Sequence, residues 1–105
     1  MKISVLSSGS KGNTTYVESN GTRILIDAGN TAKYINSALV DIGVDPKSID
    51  AILITHTHVD HISGLKTLLK SINPTIYMTS KMHLQLDFIT NYNFIDDLIL
   101  YVLLP

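Results

Sequence analysis

Cysteine is absent from the 105 residues, which excludes disulfides and thiolate-ligated zinc and fits a reducing compartment. Charge is scarce at 16%, and the formal net charge is −1, so no overall bias toward nucleic acid, membranes or acidic ligands can be read. A run of about 20 apolar residues, the length needed to cross a bilayer, does not occur. Met1–Leu6 is too short for a signal-peptide core and reads as a strand. The expectation is a cytoplasmic protein with no membrane association. Internal repeats and low-complexity linkers are missing too. The length suits one domain over residues 1–105, and 45% hydrophobic residues suffice for a core.

What is present divides into short apolar segments separated by turn signals. Ile3 and Val5 alternate with more polar neighbours as a strand, and Ser7–Asn13 follows as a loop. The glycines and hydroxyls of that loop can form an anion-binding concavity, with Lys11 as a phosphate contact, although a plain turn between strands explains them more simply. Thr14–Ser19 and Thr22–Asp27 flank Asn20-Gly21, the pair that a type I′ hairpin requires. Asp27 stands at the end of the second strand, either supporting a site or capping the next helix. Helical spacing of Ala32, Ile35, Ala38, Leu39 and Ile42 predicts a helix over 31–42 that ends at Gly43. Asp45-Pro46 starts a short helical turn. Ala51–Thr55 reads as a central strand buried on both faces. Ile62, Leu65, Leu68, Leu69 and Ile72 predict one amphipathic helix with Lys66 and Lys70 outward. Thr75–Thr79 predicts another strand, followed by a helix with Met82, Leu86 and Ile89 on one side. The tail from Leu98 to Leu104 is apolar and strand-like, an edge that calls for a cover.

Three of the four histidines fall within six residues, in His56-Thr57-His58-Val59-Asp60-His61. Imidazole and carboxylate crowded together are the donors that a zinc-type ion takes. In an extended segment His56, His58 and Asp60 share a side, and His61 is redirected where the next helix begins. Four donors so close suit two ions roughly 3.5–4 Å apart better than one tetrahedral site. A purely structural ion ranks low, because such shells are usually closed and cysteine-rich. His83 is a further ligand candidate, but Met82, Leu84 and Leu86 place it on a helix surface or core edge.

Leu25-Ile26-Asp27-Ala28-Gly29, the strand–loop–hairpin before it, and His56–Gly64 together resemble the amino-terminal half of the metallo-β-lactamase superfamily. The likeness covers about the first eighty residues. Ser8-Gly9-Ser10-Lys11-Gly12-Asn13 further resembles a cytoplasmic exonuclease- or phosphodiesterase-like branch. The resemblance implies an α/β fold, half of an αββα sandwich with a mixed sheet and helices packed on one face. It implies zinc, one ion or two, with manganese as an alternative. His56 and His58 would hold the first ion, Asp60 and His61 the second, and Asp27 would support the ligand loop without touching metal. The implied chemistry is hydrolysis by a metal-bound hydroxide, with Asp60 orienting the nucleophile and accepting its proton.

Nothing after His61 matches the third histidine, bridging aspartate and last histidine that such proteins supply from their second half. The expectation is therefore a truncated domain whose isolated activity is in doubt. Its substrates would be phosphodiester bonds in nucleic acid or a small phosphorylated metabolite. The missing signal peptide disfavours an antibiotic-hydrolysing role. The competing expectation is an inactive half-domain that pairs with a missing second half, or as a homodimer, through Leu98–Leu104.

Overall fold

The computed structural model describes residues 1–96, and the apolar tail Leu98–Pro105 lies outside the described residues. Asn20 and Gly21 take φ values of 51° and 81°, the two positive angles that a type I′ turn demands. They join β2 (Thr14–Ser19) to β3 (Thr22–Ile26), and β1 (Lys2–Ser7) pairs antiparallel with β2. Beyond β3 the chain enters α1 (Ala32–Asp41), whose first turn is capped by Thr31 accepting from the Tyr34 amide. Gly43 follows with φ 79°, the left-handed conformation that ends helices. Asp45 then caps the 3-10 turn Pro46–Ser48.

The chain crosses back as β4 (Ala51–Leu53), parallel to β3 with Leu25 opposite Ile52. Next come α2 (Val59–Ile62) and α3 (Leu65–Leu68), then β5 (Thr75–Met78), parallel to β4. α4 (Ser80–His83) leads to β6 (Tyr92–Phe94) at the sheet edge, parallel to β5. The six strands lie in sequence order in one mixed sheet. Among the described residues no helix is long and apolar enough to cross a membrane.

Alternation assigns one face of the sheet to the core. Tyr16, Leu25, Ile52, Ile76 and Met78 are almost completely buried, packed with Ile35 and Leu39 of α1 and with Leu65 and Leu68 of α3. Each such aliphatic side chain contributes about 1.5–3 kcal/mol. The predicted mixed sheet with helices on one face is thus the observed architecture.

The expectations need correction at β4, after α2, at α4, which ends at His83 short of Leu86 and Ile89, and at β6. β4 is buried on one face only: Ile52 is covered, while Ala51 and Leu53 are half-buried. Together with Ile24, Tyr77 and Ile95 they line an apolar depression of about 180 Å³, with Ile3 and Val5 exposed in β1. The single helix predicted over Ile62–Ile72 is broken at Ser63-Gly64, because the Gly64 amide donates to Ala28 O at 2.9 Å and leaves the helical ladder. β6 was not foreseen; Tyr92-Asn93-Phe94 is only three residues long, too short for its alternation to stand out after Asn91.

Candidate metal centre

The loops at the carboxyl ends of β1, β3 and β4 meet at one edge of the sheet, and the site is built from them upward. Asp27 follows β3 directly and has φ 66°, a conformation unusual for a residue with a side chain. Its amide donates to Leu53 O at 2.8 Å, tying the end of β3 to the end of β4. The side chain is only 5% exposed. Such a burial demands partners, and it has three. The Thr55 amide donates to Oδ1 at 2.8 Å, the Thr55 hydroxyl donates to Oδ2 at 2.5 Å, and His61 Nδ1 lies 2.6 Å from Oδ2.

Those contacts decide where two protons sit. A carboxylate only accepts, so His61 Nδ1 carries the hydrogen and Nε2 is left with its lone pair. The Thr55 hydroxyl has one hydrogen, already donated to Asp27. Its oxygen therefore accepts from His56 Nδ1, 3.1 Å away, and His56 too is left with Nε2 as acceptor. One buried carboxylate thus orients one imidazole directly and a second through a hydroxyl. Partners of this kind set the tautomer and basicity of metal-binding histidines.

The rings are near one another: His56 and His61 centroids lie 4.9 Å apart, and those of His56 and His58 5.9 Å apart. Asp60 Oδ2 sits 3.6 Å from His61 Nε2. His61 is 21% exposed and Asp60 34%, whereas His56 and His58 face solvent. The structure therefore gathers His56, His58, Asp60 and His61 beside Asp27. It does not close them: among the described residues no group of three His, Asp or Glu side chains already converges to liganding geometry. The donor set itself, three imidazoles and a partly exposed carboxylate, fits a divalent ion of zinc type.

The extended segment expected to carry Asp60 ends sooner than its sequence suggests. His58 is the last extended residue, and Asp60 and His61 lie on α2, so helical turning rather than strand alternation presents them. Asp27 does not cap α1, since Thr31 does that. His83 packs against Tyr92 with centroids 4.3 Å apart and the rings tilted by 39°, and its Nε2 is 3.2 Å from Ile89 O, which occupies it at the core edge.

Asn13 is the residue that sequence reasoning passed over. Its Nδ2 donates to Asp60 Oδ2 at 3.1 Å, while its Oδ1 accepts from the Gly9 amide. A partner 47 positions away leaves no local signal. Around it the loops are joined backbone to backbone. The Asn13 amide donates to Asp60 O, Gly29 to Asn13 O, Ala28 to His61 O, and Gly64 to Ala28 O, all between 2.7 and 3.1 Å. Such closeness requires glycine at Gly29, where a Cβ would lie 1.8 Å from Asp60 O.

The sequence model described as the metallo-beta-lactamase superfamily matches residues 8–84. Exodeoxyribonuclease WalJ of Streptococcus pneumoniae is 44% identical over 80 residues, 76% of this chain and 30% of its own length. Exodeoxyribonuclease YycJ of Bacillus anthracis is 35% identical over 81 residues, 77% of this chain and 31% of its own. This chain thus spans about a third of the length of these curated relatives. Among solved structures, a flavo di-iron protein from Thermotoga maritima superposes with a TM-score of 0.67 at 31% identity, covering 80% of this chain and 23% of that one.

Proposed function

Since the chain belongs to the metallo-beta-lactamase superfamily, we propose that it forms the ligand-bearing part of a metal-dependent hydrolase of phosphodiester bonds, with nucleic acid as the favoured substrate. The observation that carries this reading is the pair of Nδ1-anchored imidazoles, His56 and His61, held beside Asp60 by one buried carboxylate. Support for nucleic acid comes from the two relatives named as exodeoxyribonucleases.

In this reading His56, His58, Asp60 and His61 hold zinc or manganese, one ion or two. When bound, such an ion supplies Lewis acidity, lowering the pKa of water and offsetting charge on the scissile phosphate. The chain's own residues do the rest. Asp27 keeps the proton of His61 on Nδ1, so Nε2 faces the site. Thr55 passes the same constraint to His56. Asn13 holds one oxygen of Asp60, which orients the carboxylate to accept a proton from the attacking water.

The test is a phosphodiester reporter assayed with added Mn²⁺ or Zn²⁺, comparing the full chain with His58→Ala. Metal-dependent turnover that the substitution reduces by at least about tenfold is expected. Equal rates in the two proteins would retire the enzyme reading. A second reading, pairing of a half-domain with another copy of this chain, draws on the apolar depression around Leu53 and Tyr77. Sedimentation of a single monomeric species at high concentration would exclude it.

A further inference from the structure

A polar cavity of about 470 Å³ opens beside the loop that follows β1, and none of the steps above uses it. Ser7, Ser8 and Lys11 form one wall, and Asn30 and Tyr34, before and on the first turn of α1, form the other. Among the described residues no acidic side chain lines it, so Lys11 sets its sign. None of the ion pairs among the described residues involves Lys11. An exposed cation beside an exposed serine hydroxyl offers what a phosphate oxygen needs, a charge and a hydrogen-bond donor.

The opposite wall is fixed although it is open. Tyr34 is 47% exposed, yet its hydroxyl donates to Leu6 O at 3.1 Å, which pins the ring. Asn30 Nδ2 donates to Ser7 Oγ at 3.1 Å, and Asn30 Oδ1 accepts from the Thr31 amide at 2.7 Å. A flat aromatic surface held in place and left in solvent is a stacking platform, and stacking tolerates every base. The cavity is also connected to the metal centre along the chain, since the loop carrying Lys11 ends at Asn13, which is bonded to the Asp60 carboxylate.

We propose that this cavity is a subsite for single-stranded nucleic acid, where Lys11 and Ser8 receive a backbone phosphate and Tyr34 stacks on an adjacent base. The inference rests on the phosphodiesterase reading and narrows its substrate class, favouring a polymer over a small phosphorylated metabolite. Every contact is to backbone or to a ring face, so binding should be indifferent to sequence.

The experiment measures fluorescence anisotropy of a short labelled oligothymidylate with the full chain, in EDTA so that no cleavage occurs. Lys11→Ala should weaken binding and flatten the slope of log K against log salt by about 0.7. Tyr34→Leu should weaken it by roughly tenfold, while Tyr34→Phe, which keeps the ring, should keep most of the affinity. Thymidine monophosphate should displace the oligomer poorly. The proposal is overturned if wild type does not bind, if Lys11→Ala binds with unchanged slope, if Tyr34→Phe loses as much as Tyr34→Leu, or if the mononucleotide competes on equal terms. Circular dichroism of each variant separates lost binding from lost folding, and Lys11→Ala alters only an exposed loop residue. Failure here is distinct from failure of the parent reading. Unchanged binding in the variants, with turnover still dependent on His58, sinks only the subsite. The predicted binding pattern with equal turnover in wild type and His58→Ala sinks only the hydrolase.

Discussion

His61 and His58 are three residues apart and of the same chemical kind, yet their surroundings have little in common. His61 lies on α2 with Nδ1 against a buried carboxylate, and it keeps a fifth of its side-chain surface in solvent. His58 occupies the position before α2, makes no capping hydrogen bond and is exposed. One imidazole has its orientation and tautomer decided by the fold before any ligand arrives. The other is placed by its backbone alone. Asp27 and Asn13 therefore act on one half of the cluster, with Thr55 carrying part of the constraint to His56. A site built this way separates folding from capture: the inner half is bound up with stability, and the outer half is free to adjust.

That contrast orders the expected effects of substitution. The largest should come from Gly29→Ala, because the added methyl would meet Asp60 O at 1.8 Å and Asn13 N at 2.4 Å. The loops beneath the inner half would have to separate, at a cost of about 4 kcal/mol or more, read as loss of the cooperative transition in urea. Asp27→Ala should cost about 3 kcal/mol in the same measurement, since Thr55 N–H and His61 Nδ1–H lose their acceptor. It should also weaken zinc binding by about 10- to 100-fold against a chromophoric chelator. His58→Ala should change stability by less than about 0.5 kcal/mol, as exposed substitutions do, while still weakening zinc binding. If His58→Ala proved as destabilising as Asp27→Ala, the division into inner and outer halves would be wrong.

The features legible in the sequence were those with a local cause. Asn20-Gly21 announces its turn, Thr31 and Gly43 bound α1, and the histidine spacing marks the cluster. Ala51 and Leu53 misled because a continuous apolar run reads as burial on both faces, although these two side chains line a depression and are only half-buried. The break at Ser63-Gly64 was hidden because its cause, the Ala28 carbonyl, belongs to a loop far back in the chain. Asn13 was read with its loop for the same reason. Asp27 presented an even choice between capping and support, and only the positions of Thr55 and His61 decided it.

The four backbone bonds that join Asn13, Ala28, Gly29 and Gly64 to one another's loops have a kinetic consequence. No one of them can open far while the others stay closed, so the segments should breathe as a unit. Their amides should exchange with deuterium at similar rates, slower than those of the Thr31–Tyr34 turn beside them. The edge of the sheet that carries the histidines would then rank among the last parts of the molecule to loosen, an inversion of the usual pliancy of loops.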